Sequence, residues 1–238
     1  MKLSVVIPVF NEEQKIRHDI IAASNFLSSY NISGEIIIVN DGSTDRTSEV
    51  ASHTTVDEGV ALKVIDYREH TGKGYAVRAG ILETGSELVM FIDSGNCVPY
   101  TNILRGIELL KQGQCVIAHG SRFLTDSMIR RSRKPYRKLA SYLFRKYIRM
   151  HSPLLKDLTD TQCGLKIYTR AVAHELYRDC ITKGFMFDIE IILRARKKGY
   201  RIVEFPIEWT SDPDSRLSVP GIFPKIFPEL KVIRKALR

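Results

Sequence analysis

The sequence predicts an α/β protein with a mainly parallel, Rossmann-like central sheet flanked by helices and a C-terminal amphipathic helical extension. Three observations lead there. Short β-branched runs alternate with segments of helical period from the N-terminus onward. The run at 3–9 is β-branched and largely apolar, and Ile36, Ile37, Ile38 and Val39 are apolar at successive positions, as in a strand buried on both faces. Polar clusters then follow the carboxyl ends of the strand candidates, where ligands bind in sheets of this kind. With 238 residues, 44% of them hydrophobic, the chain is long enough for one domain with a substantial core. It divides into a domain over 1–210 and an amphipathic segment over 211–238.

Taken in order, the apolar run 3–9 is the first strand, and Pro8 near its end suits a position where the ladder stops. Ile16, Ile20, Ala23 and Leu27 recur at helical spacing. Residues 35–39 form a second strand that runs into the turn Asn40-Asp41-Gly42-Ser43. Strand candidates follow at 62–67 and 88–92, with a helix over 73–83 between them. Ile103, Ile107 and Leu110 mark another helix, and 116–118 a short strand. The second half is less regular: a basic helix over 136–150, a strand at 165–168, a helix at 187–197 and an alternating strand at 201–209. Over 222–237, Ile222, Ile226, Leu230, Ile233 and Leu237 lie near helical spacing among basic residues. Pro224 and Pro228 are expected to limit or kink the first turns there.

No stretch approaches the ~20 apolar residues of a membrane-spanning helix. The first apolar run ends too early for a cleavable signal, at Pro8 and Asn11-Glu12-Glu13, so a cytoplasmic protein is expected. None of the four cysteines falls in a Cys-x-x-Cys pair, which leaves zinc and dithiol chemistry unsupported and predicts reduced, mostly buried thiols. The net charge of +9 fits nucleic acid, an anionic membrane surface or phosphorylated substrates. The excess lies in 130–149, 194–201 and the C-terminus, and no nucleic-acid-binding motif accompanies it.

Read one at a time, the polar clusters have ordinary explanations. Asn11 and Glu12 are residues that open a helix, and Asp41-Gly42 is a common turn after a strand. A carboxylate at that edge can also accept from a ribose or a base N–H. The pattern becomes specific when the two strand ends occur in order and ~30 residues apart, the length of a βαβ unit.

The ordered set Val6-Ile7-Pro8-Val9-Phe10-Asn11-Glu12, Asn40-Asp41-Gly42-Ser43-Thr44-Asp45, His70-Thr71-Gly72-Lys73-Gly74 and Phe91-Ile92-Asp93 resembles the inverting glycosyltransferases of family 2, which have the GT-A fold. The likeness continues through Gly120-Ser121-Arg122, Asp160-Thr161-Gln162-Cys163-Gly164-Leu165-Lys166 and Phe187-Asp188-Ile189-Glu190. It is strongest to the branch of dolichyl-phosphate mannose and glucose synthases, and Gln162-Cys163-Gly164-x-Lys166 is more similar to the glucose synthases. The resemblance implies a nucleotide-sugar site formed by Pro8, Phe10, Glu12, Asp41, Gly72, Lys73, Asp93, Ser94 and Gln162. It implies UDP-glucose ahead of GDP-mannose as donor and a polyprenyl phosphate as acceptor, bound by Arg122 and Arg131. Asp93, Asp160 and Arg122 are the candidate catalytic residues. Arginine suits the acceptor because its planar fork grips phosphate in a bidentate manner.

The sequence departs from the family at its metal motif. Asp93 stands where the first aspartate of Asp-x-Asp belongs, but Gly95 replaces the second. Magnesium or manganese, which prefer hard oxygen ligands, are therefore expected to bind at Asp93 more weakly than is usual in the family. An anionic phosphate nucleophile needs no strong general base, so catalysis is expected from in-line positioning and from charge stabilisation on the departing diphosphate. Asp160 would act as base only for a hydroxyl acceptor on a glycan or protein. A non-catalytic nucleotide-sugar-binding protein with a decayed metal site is the further alternative. Both basic amphipathic segments, 136–150 and 222–237, suit either a membrane interface at the cytoplasmic face or packing onto the sheet or a second subunit, and a homo-oligomer stays open.

Overall fold

Strand and helix alternate as the periodicity predicts, and seven strands hydrogen-bond in the order β3-β2-β1-β4-β7-β5-β8 in the computed structural model, which describes residues 1–131, 135–212 and 219–237. The strands are β1 (Lys2–Val9), β2 (Ser33–Asp41), β3 (Val60–Tyr67), β4 (Leu88–Ile92), β5 (Ile117–Ser121), β7 (Leu165–Thr169) and β8 (Ile202–Pro206). Parallel pairing joins β1 to β2, β2 to β3, β1 to β4 and β5 to β8. Only β7 runs antiparallel, against both β4 and β5. A separate two-stranded sheet pairs β6 (Met128–Arg131) with β9 (Glu208–Thr210).

Helices cover both faces, which is why the strand centres Val5–Ile7, Ile36–Val39 and Leu88–Ile92 are continuously apolar. On one face α1 (Ile16–Ser29), α2 (Thr47–Ser52) and α4 (Ile103–Lys111) bury Ile16, Ala51 and Ile107 against Val5, Ile7, Ile36, Ile38 and Met90. On the other, α3 (Lys73–Leu82), α6 (Arg170–Arg178) and α7 (Phe187–Lys197) bury Val77, Leu176 and Phe187 against Val6, Ile37, Val39 and Phe91. All four cysteines are free thiols, three of them buried.

Several boundaries differ from the sequence-based expectations. The alternating stretch 201–209 is two strands in two sheets, β8 and β9, divided where Pro206 offers no N–H to continue the ladder. Helix α6 and strand β6 have no counterpart among the sequence-based expectations. Helix α8 (Val219–Ala236) begins earlier than expected and continues past Pro224 and Pro228. Its Ile226, Leu230 and Ile233 are buried in the same core as Phe91 and Tyr168, so its apolar stripe packs against the sheet side. Helix α5 (Pro135–His151) is the opposite case. It buries only Ile148 and leaves Tyr136, Leu139, Tyr142, Leu143 and Met150 exposed. No described helix is long and apolar enough to cross a membrane.

Candidate active site

Order reverses in the sheet where β1 lies between β2 and β4, and the crevice beyond such a switch point is where ligands bind. The predicted residues gather there. The loops after β1 and β2 are cross-stitched: Asn11 N–H donates to Ser43 Oγ (2.7 Å), Thr44 N–H to Asn11 Oδ1 (2.7 Å) and Glu12 N–H to Thr47 Oγ1 (2.7 Å). Asn11 therefore does not cap α1, whose N-terminal flank is Lys15 without a side-chain cap. Its side chain instead ties the two strand ends together, with its own backbone at φ 55°. Pro8 lies within β1, in register with Val39.

Asp41 is buried, and both of its carboxylate oxygens accept backbone donors, from Thr71 N–H at 2.9 Å and Gly72 N–H at 2.8 Å. Its role in this structure is to hold the Gly72-Lys73-Gly74 loop at the end of β2. Gly72 has φ +125°, and a Cβ there would meet the Lys183 carbonyl oxygen at 2.6 Å, so only glycine fits. The His70 ring, which sequence reasoning missed, stacks on Phe10 with centroids 3.9 Å apart, and its Nδ1 lies 2.9 Å from Asp41 Oδ2.

Lys73 opens α3 and sets its ammonium 2.6 Å from Asp93 Oδ1 at the end of β4. Burial works against the charge on Lys73, but Asp93 and Asp188 outweigh it and raise its pKa. Burial likewise pushes the Asp93 carboxyl up, and Lys73, with Lys166 and Arg122 behind it, holds it below the usual carboxylate value. Asp93 is fixed from β7 as well, since its N–H donates to Gly164 O at 2.9 Å. Beneath them Lys166 is fully buried, donating to Cys163 O (2.7 Å) and to Asp188 Oδ1 (2.5 Å). Glu190, two residues further along α7, faces elsewhere: it accepts from Ile181 and Thr182 N–H and so shapes the loop against which Gly72 packs.

The predicted acceptor side centres on a closed ion pair. Arg122 Nε and Nη2 donate to Asp160 at 2.6 and 2.8 Å, and the Arg122 N–H adds a third bond at 3.1 Å. Both side chains are nearly inaccessible, at 8% and 1% exposure. Burial would raise the Asp160 carboxyl, but Arg122 holds it low. Asp160 also accepts from Gln162 N–H, while Gln162 Nε2 is buried without a partner among the described residues. Arg145 of α5 stands over the Phe123 ring at 3.5 Å, close enough to feel both Arg122 and Asp160. Nothing in its local sequence distinguished it within a basic helix. Arg131 is exposed at the end of β6, and Ser132, Arg133 and Lys134 lie outside the described residues.

A divalent cation would find one motif carboxylate here, Asp93, beside the half-buried Ser94; position 95 is glycine with φ +89°. The side chain nearest to the space above Gly95 is Asp212, from the segment after β9, whose Oδ2 would lie 3.3 Å from a Cβ at 95. Lys15 sits on that carboxylate at 2.8 Å, and neither residue was singled out from sequence. Among the described residues, no group of three or more His, Cys, Asp or Glu side chains is placed to hold a metal ion.

Comparison with known proteins agrees with this geometry. The family model for glycosyl transferase family 2 matches residues 4–177. The dolichyl-phosphate beta-glucosyltransferase of Saccharomyces cerevisiae is 30% identical, covering 98% of this chain and 74% of that protein. The human dolichyl-phosphate beta-glucosyltransferase is 29% identical over 91% of this chain and 69% of its own length. Among solved structures, glucosyl-3-phosphoglycerate synthase from Mycobacterium tuberculosis, in complex with Mn2+, UDP-glucose and phosphoglyceric acid, superposes with a TM-score of 0.68 at 18% identity, covering 94% of this chain and 76% of that one. At that identity the likeness concerns the fold, and it matches the predicted GT-A architecture.

Proposed function

The chain belongs to glycosyl transferase family 2, and we propose that it transfers glucose from UDP-glucose to a polyprenyl phosphate, with inversion at the anomeric carbon. The observation that carries the choice of acceptor is the state of the carboxylates around the crevice. Asp93, Asp160 and Asp188 each lie against a lysine or arginine at 2.5–2.6 Å. Asp160, the candidate base for a hydroxyl acceptor, has its oxygens occupied by Arg122 and its carboxyl held low. Such a group is a poor proton acceptor. A phosphate acceptor is already anionic and needs none, so the site suits phosphate better than a glycan or protein hydroxyl.

In this reading the crevice between β1 and β4 holds the nucleoside, with the Phe10–His70 stack and the stitched loops as its floor. Lys73 supplies positive charge for the diphosphate, and its pairing with Asp93 keeps it protonated throughout the neutral range. Gln162, with a free buried amide donor, suits the sugar. Arg122, Arg145 and Arg131 form the cationic side toward which the lipid phosphate is drawn, Arg122 being aimed by Asp160. Displacement follows when the phosphate oxygen stands in line with the anomeric carbon and the departing charge is already met by fixed cations. Mg or Mn bound at Asp93 would supply further charge neutralisation for the diphosphate. The names of the relatives support glucose and a dolichyl phosphate; the Mn2+ and UDP-glucose complexes of a solved relative support donor and metal.

Peripheral attachment to a membrane belongs to the same proposal, through α5, which carries Arg137, Lys138, Arg145, Lys146 and Arg149 among its exposed apolar residues. Incubation with UDP-glucose or GDP-mannose and a polyprenyl phosphate, followed by mass spectrometry of the lipid fraction, tests the reaction. A hexosyl-phosphate lipid from UDP-glucose is expected. Transfer only to hydroxyl acceptors, or only from GDP-mannose, would overturn the corresponding part.

A further inference from the structure

One carboxylate beside the Arg122–Asp160 pair belongs to neither partner. Glu204 lies on β8, in parallel register with His119 of β5, and β5 ends shortly afterwards at Ser121. It is half-buried, and both of its oxygens accept backbone donors: Oε2 from Thr159 N–H at 2.7 Å and Oε1 from Asp160 N–H at 2.7 Å. The Thr159 hydroxyl adds a third bond, to Oε1, at 3.1 Å. Burial pushes the Glu204 carboxyl above the usual glutamate value, and the Thr159 and Asp160 donors act against that rise. Glu204 thus grips the main chain at the very residue that bears the Asp160 carboxylate.

The same carboxylate reaches the other partner. An ionised carboxylate only accepts, so the Thr159 hydroxyl points its one proton at Glu204 and must accept from Ser121 Oγ, 2.6 Å away. Ser121 Oγ in turn accepts from Phe123 N–H at 3.2 Å. Ser121 and Phe123 flank Arg122 in the chain. One side chain therefore fixes the backbone on both sides of the pair: the turn at 159–160 directly, and the turn at 121–123 through two hydroxyls. Between these turns Arg122 Nε and Nη2 meet the Asp160 carboxylate at 2.6 and 2.8 Å.

We infer that Glu204 is a positioning residue for the acceptor phosphate: it sets the Arg122 guanidinium by clamping the turn that carries Asp160 and, through Thr159 and Ser121, the turn that carries Arg122. This rests on the reading of Arg122 as an acceptor-phosphate residue. A guanidinium recognises phosphate through planar, directional donors, so its orientation matters as much as its charge. Nε and one Nη2 hydrogen are committed to Asp160, and the N–H groups that remain for phosphate are aimed by where Asp160 stands. Glutamine at 204 would keep the size of the side chain and lose half of the clamp. Its oxygen can accept one backbone N–H, and its nitrogen then faces the other, donor to donor. Glu204→Gln thereby separates the hold on the two turns from the packing of β8.

Steady-state kinetics of the full chain with UDP-glucose and a polyprenyl phosphate in detergent test this. Glu204→Gln is expected to raise the KM for the polyprenyl phosphate by about tenfold or more and to leave the KM for UDP-glucose within about twofold of wild type. A merely structural role would lower the melting temperature and the active fraction, hence kcat, and leave both KM values alone. A double-mutant cycle with Arg122→Lys reads whether Glu204 works through Arg122: in that background Glu204→Gln should change the acceptor KM by about twofold or less. Thr159→Val removes only the hydroxyl link to Ser121 and should raise the acceptor KM by about threefold. Circular dichroism and melting curves control for folding. An unchanged acceptor KM in Glu204→Gln, or full additivity with Arg122→Lys, would overturn the inference. Should Glu204→Gln fail to fold, an unchanged acceptor KM in Thr159→Val overturns it instead. Wild-type protein that forms no glycolipid sinks the acceptor reading and this inference together, whereas wild-type turnover with an indifferent Glu204→Gln sinks this inference alone.

Discussion

A Cβ at Gly164 would fall 1.9–2.5 Å from the carboxylate atoms of Asp93, so the glycine of the Gln162-Cys163-Gly164 run is what leaves Asp93 room to meet Lys73. Because the obstructed atoms are the end of a flexible side chain, Gly164→Ala should displace the carboxylate and spare the fold. The expected outcome is a transfer rate lower by about tenfold or more, as misplacement of about 1 Å can cause, with a melting temperature close to wild type; steady-state kinetics and a thermal melt check it. Asp19 makes a different prediction. Burial under the 95–96 loop pushes its carboxyl up from 3.8 to about 6, while it accepts from Gly95 N–H at 2.9 Å. Between those two pH values the folded chain binds a proton that the unfolded chain has released. This group's contribution to stability is therefore greatest below the lower value and falls as pH rises through the window, by about 3 kcal/mol in all. Asp19→Asn keeps an acceptor for Gly95 and has no proton to lose. Denaturant titrations at pH 4 and pH 7 should show the variant gaining on wild type as pH rises, and parallel pH dependence in the two proteins would refute the assignment.

At the scale of elements, α5 and α8 are both basic and amphipathic and have different surroundings. The periodicity of 222–237 marks its apolar stripe correctly, and the stripe lies in the core: Leu230 and Ile233 are almost wholly buried. The stripe of α5 has no such cover, with Leu139 at 59% and Tyr142 at 54% exposure. Helical periodicity marks an apolar stripe in both, but it does not contain the position of the neighbouring surface. Flotation with anionic vesicles should accordingly depend on α5. Leu139→Glu together with Tyr142→Glu should abolish vesicle binding and leave the melting temperature within a few degrees, as exposed substitutions usually do. Wild-type binding should weaken as salt rises from about 0.05 to 0.5 M, given the screening of its cations. Vesicle binding that survives both changes would remove α5 from the membrane proposal. The division of 201–209 into β8 and β9 belongs to this scale too. It creates the small β6–β9 sheet, and through it the placement of Asp212.

For the molecule as a whole, the sequence by itself determined the α/β class, the run of strands β1 to β4, and the edge of the sheet at which the proposed site lies. Those follow from local periodicity and from which polar residues end each apolar run, and both are written in consecutive residues. The ordered strand-end motifs likewise carried the family and most of the proposed nucleotide site, from Phe10 and Asp41 to Lys73 and Asp93. What only the tertiary structure decided depends on residues far apart in the chain. The antiparallel course of β7 brings Gly164 and Lys166 beneath Asp93. The closure of Arg122 on Asp160 turns two candidate catalytic groups into one paired unit. The approach of Asp212 to Gly95 spans 117 positions and leaves no local pattern, since pairing energies between distant side chains depend on where the backbone takes them and not on their spacing in sequence.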